Sequence, residues 1–132
     1  MNNYFFPDEL ECPCCKQTVL AMGFLDALNG LREAVGHAMK INSCCRCLAH
    51  NRKIGGKDAS FHLINVPELT KLHGACAADI STAGWDGAKK WRFKKIAMGM
   101  GWSIGNAKNF IHIDRRAAYV ETGWPNPVDF NY

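Results

Sequence analysis

Two histidines, His62 and His112, and one acid, Asp79, stand far apart in the chain, each flanked by small or apolar residues. Two imidazoles and a carboxylate brought together make a three-ligand zinc site whose fourth position stays open for a water, the arrangement that a catalytic zinc requires. The competing reading of each histidine is a hydrogen-bonded group of the core. Cysteine offers a second chemistry. Six of the seven cysteines fall into two clusters, Cys12, Cys14, Cys15 and Cys44, Cys45, Cys47, each containing a Cys-x-x-Cys. In a reducing compartment this pattern favours metal binding or buried thiols over disulfides. Residues 12, 15, 44 and 47 would supply four thiolates, enough for a structural zinc, and such a site alone describes a zinc-stabilised binding module without catalysis. A third feature is charge: five of the sixteen basic residues crowd into Lys89, Lys90, Arg92, Lys94 and Lys95. Such a run is more often a solvated helix face than a footprint for nucleic acid or another anionic polymer.

Periodicity indicates the elements that must position these residues. From Thr18 onward, Leu20, Phe24, Leu28, Leu31 and Val35 recur at three- and four-residue intervals, predicting an amphipathic helix that ends at Gly36. Ala38–Asn42 reads as a strand delivering residues 43–47 to its end, and Gly55-Gly56 marks a backbone break. Ala75–Ile80 reads as a short buried strand with Asp79 near its end, where a buried carboxylate needs a partner. A second long helix is predicted over Trp85–Met100, with Trp85, Ala88, Trp91 and Ile96 as its apolar positions. Trp102–Gly105 and Phe110–Asp114 then read as two strands joined by a polar turn at residues 106–109. Period-two alternation places Phe110, His112 and Asp114 on one face and Ile111 and Ile113 on the other. The tail from Trp124 to Tyr132, with Pro125 and Pro127, is expected to be irregular. At 132 residues and 48% apolar content, residues 1–132 are expected to form one domain with its own core. No apolar run approaches the ~20 residues of a membrane span, and the N-terminus has no basic start followed by an apolar stretch. A soluble protein made in the cytoplasm without a signal peptide is therefore expected.

Several short motifs follow one another in a familiar order: Ser43–Arg46, His50-Asn51, Ile54-Gly55-Gly56, Ser60-Phe61-His62, Ala77-Ala78-Asp79-Ile80 and His112-Ile113-Asp114, after an opening Phe6-Pro7-Asp8-Glu9-Leu10. From Phe6 to about Arg115 the chain resembles the zinc D-alanyl-D-alanine carboxypeptidases, a family of hedgehog/DD-peptidase fold that includes VanY-like peptidases and phage endolysins. The resemblance implies Zn²⁺ ligation by His62, Asp79 and His112, with Arg46 binding a substrate carboxylate or the polarised carbonyl. A guanidinium suits that role because it is permanently charged and presents a planar fork.

The chain also departs from that pattern. Histidine and aspartate usually lie seven positions apart, whereas here residues 63–72 lengthen the connection, and a second histidine, His73, stands six positions before Asp79. His62 is preferred over His73 because Ser60 and the Gly-Gly pair precede it. Related enzymes carry an acid three residues before the last histidine, where this chain has Asn109, which cannot accept a proton. Asp114, on the strand face of His112, is the candidate to act as base or to orient a ligand, with an ion pair to Arg115 or Arg116 as the alternative. Glu121 and Asp129 are further candidates. The expected protein is α+β, a small antiparallel sheet bearing the zinc ligands and packed with two main helices. It is expected to hydrolyse, as a monomer, a stem or cross-link peptide of peptidoglycan, without nucleic acid as a partner. An endolysin of this kind waits in the cytoplasm and reaches the wall on release, where its basic helix favours the anionic envelope.

Overall fold

The computed structural model describes residues 3–57, 59–64, 74–119 and 127–132. In chain order they form α1 (Pro7–Leu10), α2 (Phe24–Val35), β1 (Ile41–Ser43), α3 (Leu48–Lys53), β2 (Ala77–Ser81), α4 (Gly87–Gly99), β3 (Ser103–Asn106), β4 (Phe110–Asp114), α5 (Arg116–Tyr119) and β5 (Asp129–Asn131). The strands join in one sheet ordered β1-β2-β4-β3-β5, antiparallel except where β5 runs parallel to β3. The mixed, mostly antiparallel architecture agrees with the expectation from sequence. The short helices α1, α3 and α5 add to it.

Register decides which side chains share a face. β2 and β4 align Ala77 with Asp114, Asp79 with His112 and Ser81 with Phe110. Side chains alternate along a strand, so these six point to one side of the sheet and Ala78, Ile80, Ile111 and Ile113 to the other. The second set is buried in one cluster with Phe24, Leu28 and Leu31 of α2 and Phe93 and Ala97 of α4. Trp102, just before β3, is fully buried, its ring edge-on to Phe24 with centroids 5.6 Å apart. Burying this apolar face leaves the opposite face of β2 and β4 to carry polar groups.

Three expectations need correction. The first long helix starts at Phe24, not Thr18, because Val19 to Ala21 pair with another segment: the Ala75 amide donates to the Val19 carbonyl (2.8 Å) and the Ala21 amide to the Ala75 carbonyl (2.9 Å). Gly23, at φ 83°, then turns the chain into the helix, and Gly36, at φ 75°, ends it in the left-handed conformation that glycine adopts at little cost. In α4 the buried residues are Phe93 and Ala97, while Ala88 is exposed and Trp91 is 62% exposed. The helix begins only after Asp86, whose carboxylate accepts from the Lys89 amide (2.8 Å), so Trp85 lies outside it and packs against Phe93. Arg92 also donates to the Val35 carbonyl at the end of α2 (2.7 Å), which orients α4 from outside its own periodicity. Finally, residues 129–131 of the tail form β5, although Pro125 and Pro127 argued for irregular chain. No helix among the described residues is long and apolar enough to cross a membrane.

Candidate metal centre

Asp79 and His112 meet because β2 and β4 pair them directly. On the other side of His112, β3 places Gly105, where a Cβ would lie 2.7 Å from the Phe130 ring and 3.0 Å from the His112 Cβ. The missing side chain lets Phe130 of β5 close over the strand, its ring 5.8 Å from that of His112. His62 does not come from the sheet, which therefore carries two of the three candidate ligands instead of all three. It sits in the turn at residues 60–63, where the Ser60 Oγ accepts from the His62 amide (3.2 Å). That turn is tied down on both sides: the Arg46 amide donates to the His62 carbonyl (2.9 Å), and the Cys76 amide to the Phe61 carbonyl (2.9 Å).

The three side chains converge on one point. His62 Nε2 lies 3.0 Å from Asp79 Oδ1, His112 Nδ1 lies 3.0 Å from the same oxygen, and the two nitrogens are 3.2 Å apart. A tetrahedral zinc with bonds of about 2.0–2.1 Å needs donor edges of about 3.3–3.4 Å, so little movement separates this triangle from a ligand set. The outward ring nitrogens decide the protons. His62 Nδ1 is 2.7 Å from the Cys44 carbonyl, which only accepts, and His112 Nε2 is 2.7 Å from Asp114 Oδ2. Each outward nitrogen therefore carries the hydrogen, and in neutral imidazoles both inward nitrogens present lone pairs, to each other and to a carboxylate oxygen. Three buried acceptors aimed at one point call for a cation.

The surrounding residues hold this triangle. Arg46 donates from Nη2 to Asp79 Oδ2 (2.9 Å), from Nε to Ser43 Oγ (3.0 Å) and from Nη1 to Asn51 Oδ1 (3.3 Å). Asn51 is fully buried and donates to the Lys57 carbonyl (2.8 Å), connecting α3 with the loop after Gly56. These bonds give physical content to the Ser43–Arg46, His50-Asn51 and Gly55-Gly56 motifs. Asp114 is fully buried behind His112, where Arg116 donates from Nε to Oδ1 (2.9 Å) and from Nη2 to Oδ2 (2.7 Å). Of the two roles weighed for Asp114, the placement serves the orienting one: both its oxygens are engaged, and it faces away from the converging lone pairs. The pairing with Arg116 is likewise present.

Charge follows the same logic in the metal-free protein. Burial opposes ionisation of Asp79, but the neighbouring His112 and His62 outweigh it and hold the carboxyl well below the ordinary range. Burial likewise opposes ionisation of Asp114, and His112 with Arg116 overcomes it. His62 shifts downward, chiefly through burial. His112 shifts upward: burial works against its charge, and the hydrogen bonds and negative charges of Asp114 and Asp79 prevail. Protons and a metal compete for the inward nitrogen, so, because the His112 value is raised, lowering the pH begins to weaken metal binding at this site while the pH is still above about 6.5, and further acidification weakens it by about tenfold per unit. Zinc titrations followed on the two histidine ring resonances measure this; affinity unchanged down to about pH 6 would contradict it.

The triangle opens on a cavity of about 800 Å³, within the range of ligand-binding clefts. Arg46, Lys57 and Arg116 contribute positive charge to its lining, and Phe61, Phe130 and Tyr132 contribute apolar wall. Tyr132 is pushed up to about 12, mainly by burial, so its phenol stays protonated. Among the described residues Asp79 is the single acidic side chain lining the cavity. Asn109 is exposed at the start of β4, and Asp129 accepts from Asn106 on the exposed side of β5. His73, Glu121 and the insertion at residues 65–71 lie outside the described residues. The sequence motifs contain Asn51 without indicating its role, and none of them points to Phe130 or Tyr132. The last two had a detectable signal in the period-two spacing of Val128, Phe130 and Tyr132, which the neighbouring prolines masked.

A family model described as Peptidase M15 matches residues 3–114, and thus every one of the residues converging on the triangle. No curated protein and no solved structure matches the chain.

Proposed function

The chain belongs to the Peptidase M15 family, and from that premise we propose that it is a zinc peptidase, its single domain cutting a stem or cross-link peptide of bacterial peptidoglycan in the manner of a phage endolysin. A metallopeptidase is a hydrolase acting on peptides, and the finer reading rests on one observation. His62 Nε2, His112 Nδ1 and Asp79 Oδ1 lie 3.0–3.2 Å apart with their lone pairs converging, beside a cavity large enough for a peptide segment. His62, Asp79 and His112 would hold a zinc ion, which when bound would acidify a water and polarise the scissile carbonyl.

The chain's own groups orient the ligands and the substrate. The Cys44 carbonyl and Asp114 keep His62 and His112 in the tautomers that leave the inward nitrogens free to ligate. Arg46, anchored by Ser43 and Asn51, steadies Asp79 and presents positive charge to a substrate carboxylate or to the oxyanion that develops on the carbonyl. Lys57 and Arg116 extend that field, which suits the carboxylate-rich peptides of the wall. Phe130 and Tyr132 shield one side from water, and the neutral Tyr132 phenol is a hydrogen-bond donor for a substrate carbonyl.

Digestion of purified peptidoglycan, with the fragments identified by mass spectrometry, tests activity and bond together. Release of free D-alanine identifies a carboxypeptidase, and shortened or separated stem peptides an endopeptidase. Intact peptidoglycan, or lysis and zinc content unchanged in both His62→Ala and His112→Ala, overturns the reading and leaves the cysteine-rich binding module in its place. A finer variant is Asp114→Asn. It keeps the shape and weakens the partner of His112 Nε2, and is expected to lower zinc affinity at this site by about 10–100-fold. Competition against a chromophoric chelator measures it, and an affinity equal to wild type would remove Asp114 from the site.

A further inference from the structure

Cys12, Cys15 and Cys47 bring their sulfurs within 4.8 Å of one another, in a group that shares no residue with His62, Asp79 and His112. A tetrahedral zinc with Zn–S bonds of about 2.3 Å needs sulfur–sulfur edges of about 3.8 Å. Cys14, exposed in the same loop between Cys12 and Cys15, lies outside that group of three but interacts with the Cys47 thiol, and is the cysteine available to bring a fourth sulfur to it. We propose that Cys12, Cys14, Cys15 and Cys47 form a second, structural site for zinc, separate from the triangle of His62, Asp79 and His112.

The backbone is already arranged for thiolates. The Cys47 amide donates to Cys12 Sγ (3.3 Å), the His50 amide donates to Cys47 Sγ (3.4 Å), and the amides of Cys14 and Cys15 also face the Cys12 sulfur. Burial alone would raise the Cys12 thiol; these amides bring it down to about 7, so it is substantially ionised near neutral pH. Its loop is closed by the Cys12 amide on the Gln17 carbonyl (2.9 Å) and the Lys16 amide on the Cys12 carbonyl (2.8 Å). Lys16 holds φ 61° there, the only positive φ at a non-glycine among the described residues. A strained loop with several N–H groups aimed at one sulfur is a costly way to bury a plain thiol. Lys53, whose charge acts on Cys14, offsets part of the negative charge left by four thiolates on a divalent cation.

The grouping differs from the Cys-x-x-Cys pairing read from sequence. Cys44 faces away into the core, its thiol engaged with Cys45, and Cys45 donates to the Val19 carbonyl (3.6 Å). Cys14 takes the place assigned to Cys44. The ion would join the segment after α1 to Cys47, the residue next to Arg46, and so clamp the N-terminal chain onto the turn that carries the active-site cation.

The test uses the full chain, purified under reducing conditions without chelator. With both sites loaded, metal analysis is expected to give two zinc ions per chain, falling to one in Cys47→Ser or Cys14→Ser and to one in His112→Ala. Replacement by Co²⁺ distinguishes the sites. Thiolate ligation gives a near-ultraviolet sulfur-to-cobalt charge-transfer band, which must persist in His112→Ala and vanish in Cys47→Ser. The wild-type band stands as evidence even if Cys47→Ser fails to fold. One metal per chain with that band supports the cysteine site and removes the catalytic one. Absence of the band, or a disulfide among these four cysteines in the reduced protein, overturns the proposal.

Discussion

His112→Ala is expected to lower peptide hydrolysis by at least ~10³-fold, corresponding to ~4 kcal/mol of transition-state stabilisation. The substitution leaves two of three converging donors and takes away the group that links them to Asp114. Asp114 keeps its fork from Arg116, so the variant is expected to fold, at a cost of about 1–3 kcal/mol for the buried hydrogen bond it loses. Chelation of the wild-type protein should reproduce the loss. Added zinc should restore the chelated wild type and leave the variant inactive, measured as release of peptides from purified peptidoglycan. A variant retaining a tenth of the activity would show that His112 holds no catalytic ion.

The second large effect is expected at Gly56, which lines the cavity but has no side chain to offer substrate or metal. A Cβ there would stand 2.0 Å from Asn51 Oδ1 and 2.7 Å from Asn51 Cγ. Asn51 is fully buried and held by Lys57 and Arg46, so it has no exposed end that swings aside. Gly56→Ala therefore either displaces the asparagine, breaking both bonds, or shifts the loop, and is expected to destabilise the fold by about 3 kcal/mol. Activity per folded molecule should also fall, by about tenfold, because Arg46 loses a support. Gly55 is the control. It has φ 76° with no atom within 4 Å of an added Cβ, so Gly55→Ala costs only the left-handed strain of about 1–2 kcal/mol and leaves Arg46 undisturbed. Denaturant unfolding together with kcat/KM separates the two. Equal activity in both variants would show that Asn51 does not position Arg46.

That pair of glycines illustrates how far the sequence was readable. Gly55-Gly56 announced a place where side chains do not fit, but the two reasons, a left-handed backbone at one and a buried asparagine at the other, needed coordinates. Alternation within Phe110–Asp114 placed His112 and Asp114 on one face, since period two is a property of the strand itself. Residues 18–23 read as helix by the same kind of local argument and are not, because the Val19 carbonyl and the Ala21 amide pair with Ala75. Local periodicity had no access to that partner.

The sequence by itself determined which residue types were available, their order, and the apolar patterns that make α2 and the central strands. It also supplied the ordered motifs that belong to the family. Tertiary structure decided where those residues stand: the β2–β4 register sets Asp79 beside His112, the turn at residues 60–63 brings His62 to the same point, and Asp114 stands behind His112 instead of in the cleft. It also turned the tail into a wall of the cavity and left Cys44 out of the cluster of Cys12, Cys15 and Cys47. The physical reason is common to all of these. A pattern of neighbours encodes local conformation, whereas register, loop approach and the partners of buried polar groups are settled by residues distant in sequence, which must satisfy one another in the folded chain.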